Sequence, residues 1–180
     1  IKINGAINVS TLSTANTAYN LELVMDNVNS TIASATTFNN TGTLTLGSAG
    51  STKTLTVSGA LTASAASSND IGLSVTTSGA QTYGVATTLN SDVTLGTTNS
   101  NITFSSTLNS VTSSRALTIT AGTGTVTFTG AVGGTLALGA TSITAASVVH
   151  SSTLVGSSTY AITGNATFGG AVSGISNLSV

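Results

Sequence analysis

The sequence predicts an all-β protein, a right-handed parallel β-solenoid with about 20–24 residues per coil. The first observation behind this is the stretch Ala116–Gly134, ALTITAGTGTVTFTGAVGG. In it Leu117 and Ile119 alternate with Thr118 and Thr120, a glycine-bearing turn interrupts, and Val126 and Phe128 then alternate with Thr125, Thr127 and Thr129. Period two on either side of a turn describes two short strands, each with one apolar face. The second observation is recurrence: Thr123–Gly134 and Thr163–Gly174, forty residues apart, agree at eight of twelve positions. The third is a beat among the aromatic residues, since Tyr83, Phe104, Phe128 and Phe168 are separated by 21, 24 and 40 residues, the last equal to two intervals of 20. A stack of coils requires such a beat, because each coil presents the same apolar ladder to the next. The alternative is an antiparallel β-sandwich, in which Ala121–Gly124 closes a hairpin and a donor strand completes the sheet. A sandwich explains the alternation but has no need of a fixed period.

Taken in order, residues 1–35 are the least regular and form an atypical N-terminal strand or cap segment; residues 36–180 form a repetitive β domain continuous with it. Ile1–Val9 alternates loosely as a strand. Tyr19–Val28, YNLELVMDNV, has two readings. Leu21, Val24, Met25 and Val28 fall at helical spacing, and a helix here would cap one end of the fold; Leu21 and Leu23 equally begin a strand. The strand is preferred, because the neighbouring Thr and Asn sustain a helix poorly. From Thr36 the repeats take over, with Thr41-Gly42-Thr43-Leu44-Thr45 answering Thr123-Gly124-Thr125-Val126-Thr127. A further echo joins Asn69-Asp70-Ile71-Gly72-Leu73 to Ser91-Asp92-Val93-Thr94-Leu95, twenty-two residues on. At about 22 residues per coil the chain makes about eight coils, roughly 40 Å long at ~4.8 Å per coil.

Composition narrows the function classes. About a fifth of the residues are Thr, which favours strands over helices. Only three basic and four acidic residues occur: Lys2, Lys53, Arg115, Glu22, Asp26, Asp70 and Asp92. Three scattered cations do not neutralise a phosphate backbone, so no nucleic-acid partner is expected. A nearly neutral surface of hydroxyls and amides lacks the charge repulsion that keeps proteins apart, and it tolerates self-association. With no cysteine, disulfides, thiol catalysis and most zinc sites are excluded. No apolar run reaches the length of a transmembrane helix. The opening Ile1-Lys2-Ile3-Asn4 is neither an initiator nor a signal peptide, and suggests a processed chain or a piece of a longer one.

ALTITAGTGTVTFTGAVGG, together with GAQTYG at Gly79–Gly84 and TTFNNTGTLTLG at Thr36–Gly47, resembles the degenerate repeats of filamentous-haemagglutinin-like adhesins and autotransporter passengers. The resemblance covers roughly Thr36 to Val180 and leaves the first thirty-five residues outside it. It implies a secreted, surface-displayed stalk or fibre segment without catalysis, located outside the cell, with adjacent repeats of the same protein and a host or environmental surface as partners. A weaker resemblance is to Thr/Ser/Val-rich extracellular filament subunits, which polymerise by inserting a terminal strand into the next subunit; Ile1–Leu12 would be that donor strand.

The residues able to carry chemistry are few, and no catalytic, cofactor-binding or metal-ligating residue is assigned; no cofactor is expected. His150, in SVVHSS, is read as a turn or edge residue rather than a base or ligand. Asp70 and Asp92 occupy equivalent places in the echoed segments, so their backbones would stack one coil apart and their carboxylates would recruit a cation; the plainer reading is two turn residues facing apart. Threonine pairs recur at Thr43/Thr45, Thr54/Thr56, Thr118/Thr120 and Thr125/Thr127. Stacked in register such pairs would resemble an ice-binding surface, but their uneven spacing predicts that they do not align over many coils. Sequons for N-glycosylation stand at Asn8, Asn29, Asn39, Asn101, Asn165 and Asn177, about as many as so much Asn, Ser and Thr produces without selection.

Overall fold

The computed structural model describes all 180 residues, and contains strands and turns with no helix. Its strands form three sheets of six, nine and seven strands, and each sheet receives one strand from most turns of the chain. In the six-stranded sheet Leu21–Val24 is followed by Leu44–Leu46, Asn69–Ile71, Thr87–Leu89 and Leu108–Ser110. In the nine-stranded sheet Thr54–Val57 is followed by Ser74–Thr77, Val93–Thr97, Leu117–Thr120 and Thr141–Ala145. In the seven-stranded sheet Leu61–Ala63 is followed by Gln81–Tyr83, Ile102–Phe104, Thr125–Phe128 and Ser147–His150. All pairings between these strands are parallel, which excludes the sandwich. The chain is a β-solenoid of about 8 turns with about 21 residues per coil.

The period is not constant, and the register shows where it changes. Thr36 pairs with Leu61, 25 residues on, whereas Val148 pairs with Ala166, 18 residues on. The shortening follows the six-stranded sheet's end at Leu108–Ser110, after which that face continues only as isolated bridges from Leu108 to Val132 and from Val132 to Leu154. Coils that lose one side need fewer residues to close.

Alternation in the sequence becomes alternation of burial: Thr141–Ala145 is buried, exposed, buried, exposed, buried. The inward residues form one continuous cluster of 36 buried apolar side chains running the length of the solenoid. Along the nine-stranded sheet the inward ladder is Leu55, Val75, Leu95, Ile119, Ile143 and Tyr160. Each coil buries its apolar face only against its neighbours, so the ladder is the source of stability.

The corner Ala121–Gly124 turns the chain from the nine-stranded to the seven-stranded sheet instead of closing a hairpin. Gly122 has φ +57°, and one coil earlier Asn99 holds the same left-handed conformation at φ 58°, the one non-glycine residue in the molecule to do so. Asn tolerates this region better than most residues. Its Oδ1 there accepts the N–H of Thr123 at 3.1 Å.

The first thirty-five residues take part in the stack. Lys2–Asn4 pairs in parallel with Glu22–Val24, and Asn8–Val9 with Thr31–Ile32. The segment read as a donor strand is therefore engaged in its own first coil. Within Tyr19–Val28 the strand reading holds at Leu21–Val24, whose inward Leu21 and Leu23 continue to Leu44 and Leu46. The likeness of Thr41–Thr45 to Thr123–Thr127 does not survive as equivalence: Leu44–Leu46 lies in the six-stranded sheet and Thr125–Phe128 in the seven-stranded one. The stronger likeness does, for Phe128 and Phe168 share one column two coils apart.

Candidate functional site

Parallel stacking at about 4.8 Å per coil converts each position of the coil into a column along the solenoid, so the chemistry of the surface is the chemistry of its columns. Two lie inside the seven-stranded sheet. One carries the aromatic beat: Tyr83, Phe104, Phe128, His150 and Phe168 are successive register partners. Adjacent rings stack with centroids 4.9, 5.3, 4.4 and 5.4 Å apart. His150 fills the rung that the aromatic spacing left empty, so the assignment of His150 to a turn or edge is corrected: it is 1% exposed, in the strand Ser147–His150. Its Nε2 lies 2.9 Å from the hydroxyl of Tyr160, and its Nδ1 has no partner. Burial lowers the pKa of the imidazole from 6.5 to about 4. The other inner column contains Gln81, which binds the carbonyl of Gly96 at 2.8 Å through Nε2 and accepts the Tyr83 hydroxyl at 2.9 Å through Oε1. These polar groups are satisfied within the core and point at no opening.

The two acidic candidates are not brought together. Asp70 lies in the six-stranded sheet between Thr45 and Thr88. Asp92 precedes Val93, the first residue of a strand in the nine-stranded sheet. The echo that suggested equivalence is out of register by two residues, because Leu95 pairs with Val75 rather than with Leu73. Asp70 accepts hydrogen bonds from Asn90 Nδ2 and from Thr88 Oγ1, the latter at 3.1 Å. Burial pushes its pKa up against the lowering effect of these bonds. Asp92 accepts the N–H of Ala116 at 2.9 Å, a bond from one coil to the next. Asn29, Asn99, Asn101 and Asn109 do the same for Thr54, Thr123, Thr125 and Thr135. Asp92 is thus one of a set of corner acceptors that tie successive coils.

Beside it lies a polar cleft of about 320 Å³, lined by Gly50, Ser51, Thr52, Ser74, Ser91, Asp92 and Arg115. Ser91 is already occupied there, accepting from Gly50 N at 2.6 Å and donating to Ser48 O at 3.3 Å. Arg115 shares the cleft with Asp92 without an ion pair; the molecule's salt bridge is Lys2–Glu22 at 2.8 Å, on the first coil. No three His, Asp or Glu side chains gather anywhere, and no helix is present to cross a membrane.

The outward columns depart most from expectation. On the nine-stranded sheet Thr54 pairs with Ser74, Thr94 with Thr118, Thr118 with Ser142 and Ser142 with Thr159. Thr94 and Ser74 are themselves joined by a 3.0 Å bond from the N–H of Thr94 to the Ser74 hydroxyl. Two residues on, a second column runs Thr31, Thr56, Thr76, Gly96, Thr120 and Thr144. The expectation that threonine pairs fail to align is corrected for this face: Thr54/Thr56 and Thr118/Thr120 fall into register with the unrecognised pairs Ser74/Thr76 and Ser142/Thr144. Thr43 and Thr45 belong to the six-stranded side, and Thr125 and Thr127 lie on the seven-stranded sheet. The seven-stranded sheet bears one Thr column, Thr37, Thr62, Thr82, Thr103 and Thr127. Serine hid the pattern, because only Thr-x-Thr had been sought; Ser-x-Thr at residues 74 and 142 was the available signal.

Of the sequon residues, Asn8, Asn29, Asn101, Asn165 and Asn177 are exposed and Asn39 half-buried. Asn29, Asn39 and Asn101 spend their side chains on neighbouring coils. Compared with protein-family models, curated proteins and solved structures, the chain matches none.

Proposed function

We propose that the chain is a structural segment of a secreted or surface-displayed adhesin or fibre, a stiff repetitive stalk that holds attachment sites away from the cell. The observation that carries this reading is the ladder itself: three parallel sheets run side by side along one core, and pairing runs out only at the two ends. Apolar side chains are exposed at those ends, Ile1 at 68% and Val180 at 71%. An unpaired parallel edge with apolar residues accepts a further coil. The likeness of the repeats to filamentous-haemagglutinin-like adhesins supports an extracellular location and adjacent coils as the natural neighbours. Donor-strand polymerisation is less favoured, because Ile1–Leu12 already supplies the strands Lys2–Asn4 and Asn8–Val9 to its own first coil.

The test is negative-stain electron microscopy of the single chain and of four copies joined in tandem. The stalk reading predicts isolated short rods for the single chain. For the tandem it predicts straight rods about 160 Å long, four times the ~40 Å of eight coils. Beads on a flexible string would refute coil-on-coil continuation. Long fibres with a regular subunit repeat, formed by the single chain, would establish a self-polymerising filament instead.

A further inference from the structure

The two aligned columns on the nine-stranded sheet make a surface that differs in kind from the rest of the molecule. Along the solenoid their hydroxyls repeat at one coil, about 4.8 Å, and across it at two residues of a strand, about 6.6 Å. Both spacings are on the scale of the oxygen repeats in the prism face of hexagonal ice. Thr56, Thr76, Thr94, Thr118, Thr120, Ser142, Thr144 and Thr159 are exposed. We propose that this face binds ice, with the paired Thr/Ser columns as the contact surface.

The chemistry of the columns agrees with that ligand. Each Thr offers a hydroxyl that both donates and accepts, beside a methyl group that water surrounds without bonding. Its β-branched χ1 is restricted, so the array is ordered before it meets a lattice. Each strand that carries it is paired on both sides, so the spacing is fixed by backbone hydrogen bonds.

A second observation is independent of the spacing. The charged residues avoid this face: Lys2, Glu22 and Asp70 lie on the six-stranded sheet, while Asp26, Lys53, Asp92 and Arg115 lie outside the columns, at or near the strand starts and turns. A charged group orders water radially around itself and competes with a lattice; none stands among the columns, and no long side chain rises above their layer. The other solid ligands of β-solenoids are disfavoured by a further absence. A crystalline polysaccharide is gripped by exposed aromatic rings. Here Tyr83, Tyr160, Phe38, Phe104 and Phe128 are buried, and Tyr19 and Phe168 are half-buried. This inference does not depend on the stalk reading.

The experiment is partition of the fluorescently labelled chain into a slowly growing ice front, with an inert protein of similar size as reference. The expected result is retention in the ice several-fold above the reference. Thr118→Lys and Thr94→Lys, each in the middle of the array, reduce retention several-fold while circular dichroism and Tm stay as in the parent. Thr118→Ser keeps it, and so does Thr103→Lys on the seven-stranded sheet. Exclusion of the parent chain from ice overturns the proposal, as does an equal loss for Thr103→Lys and Thr118→Lys. Retention on crystalline cellulose or chitin with none on ice overturns it too.

Discussion

His150 makes the core sensitive to acid. Folded, its imidazole is stacked between Phe128 and Phe168 with a pKa of about 4; unfolded, it returns to about 6.5. Between these values the unfolded chain binds the proton and the folded chain does not, so stability is full above about pH 6.5 and falls as pH is lowered toward 4. The difference corresponds to about 3 kcal/mol. No carboxylate faces the ring: its neighbours are Phe128, Phe168 and the Tyr160 hydroxyl. Asp70 acts in the opposite sense, because its raised pKa lets the folded state take a proton first and so gains stability at lower pH. Urea midpoints for the parent and for His150→Phe, compared from pH 7 to pH 4, separate the two. The substitution leaves the Tyr160 hydroxyl short of a partner, costing about 1 kcal/mol at pH 7, and removes most of the loss on acidification. A parallel fall in both proteins would show that the histidine does not titrate from within the core. The sequence concealed this residue for a physical reason: the ladder requires a flat ring of suitable size, and neutral imidazole meets that requirement without being apolar.

Strands and corners differ in how far they can be read from residues alone. The inward apolar positions of Leu117–Thr120 and Thr125–Phe128 were legible, because burial on one face of a strand forces period two. Corners were not, since their polar residues obey no period and their partners lie one coil away. The Asp70 and Asp92 echo failed there: turns of different length shifted the register by two and sent the carboxylates to different sides. The structure instead makes Asp92 a hydrogen-bond acceptor, and that role has a test. Asp92→Asn keeps an oxygen for the Ala116 N–H and changes stability by less than about 0.5 kcal/mol, with no effect of millimolar calcium on either protein. Asn101→Ala removes the acceptor of the Thr125 N–H and costs about 1 kcal/mol. Urea denaturation measures both. A calcium-dependent rise in Tm that Asp92→Asn abolishes would restore the cation reading.

At the scale of the molecule, the solenoid was legible because repetition constrains a stack far more than it constrains a sandwich. Its mean period followed from aromatic spacing; its shortening from 25 to 18 residues did not, because loss of the six-stranded side is a property of how coils close and not of any one repeat. The outward columns were hidden for a related reason: alignment is a sum over every turn between two strands, and unequal turns still delivered Thr54, Thr94 and Thr118 to one column. The stalk reading and the ice-binding face both rest on this register. It is tested most directly by pulsed dipolar spectroscopy on nitroxide pairs that share the position Thr56, with the second label at Thr120, Thr144 or Ser179. These partners lie three, four and six coils away in the same column. In-register stacking predicts backbone separations of about 14, 19 and 29 Å, rising by ~4.8 Å for each coil crossed. Distances that fail to rise in that order, or a pair at Ser179 closer than the pair at Thr120, would contradict the stacked solenoid and everything built on its columns.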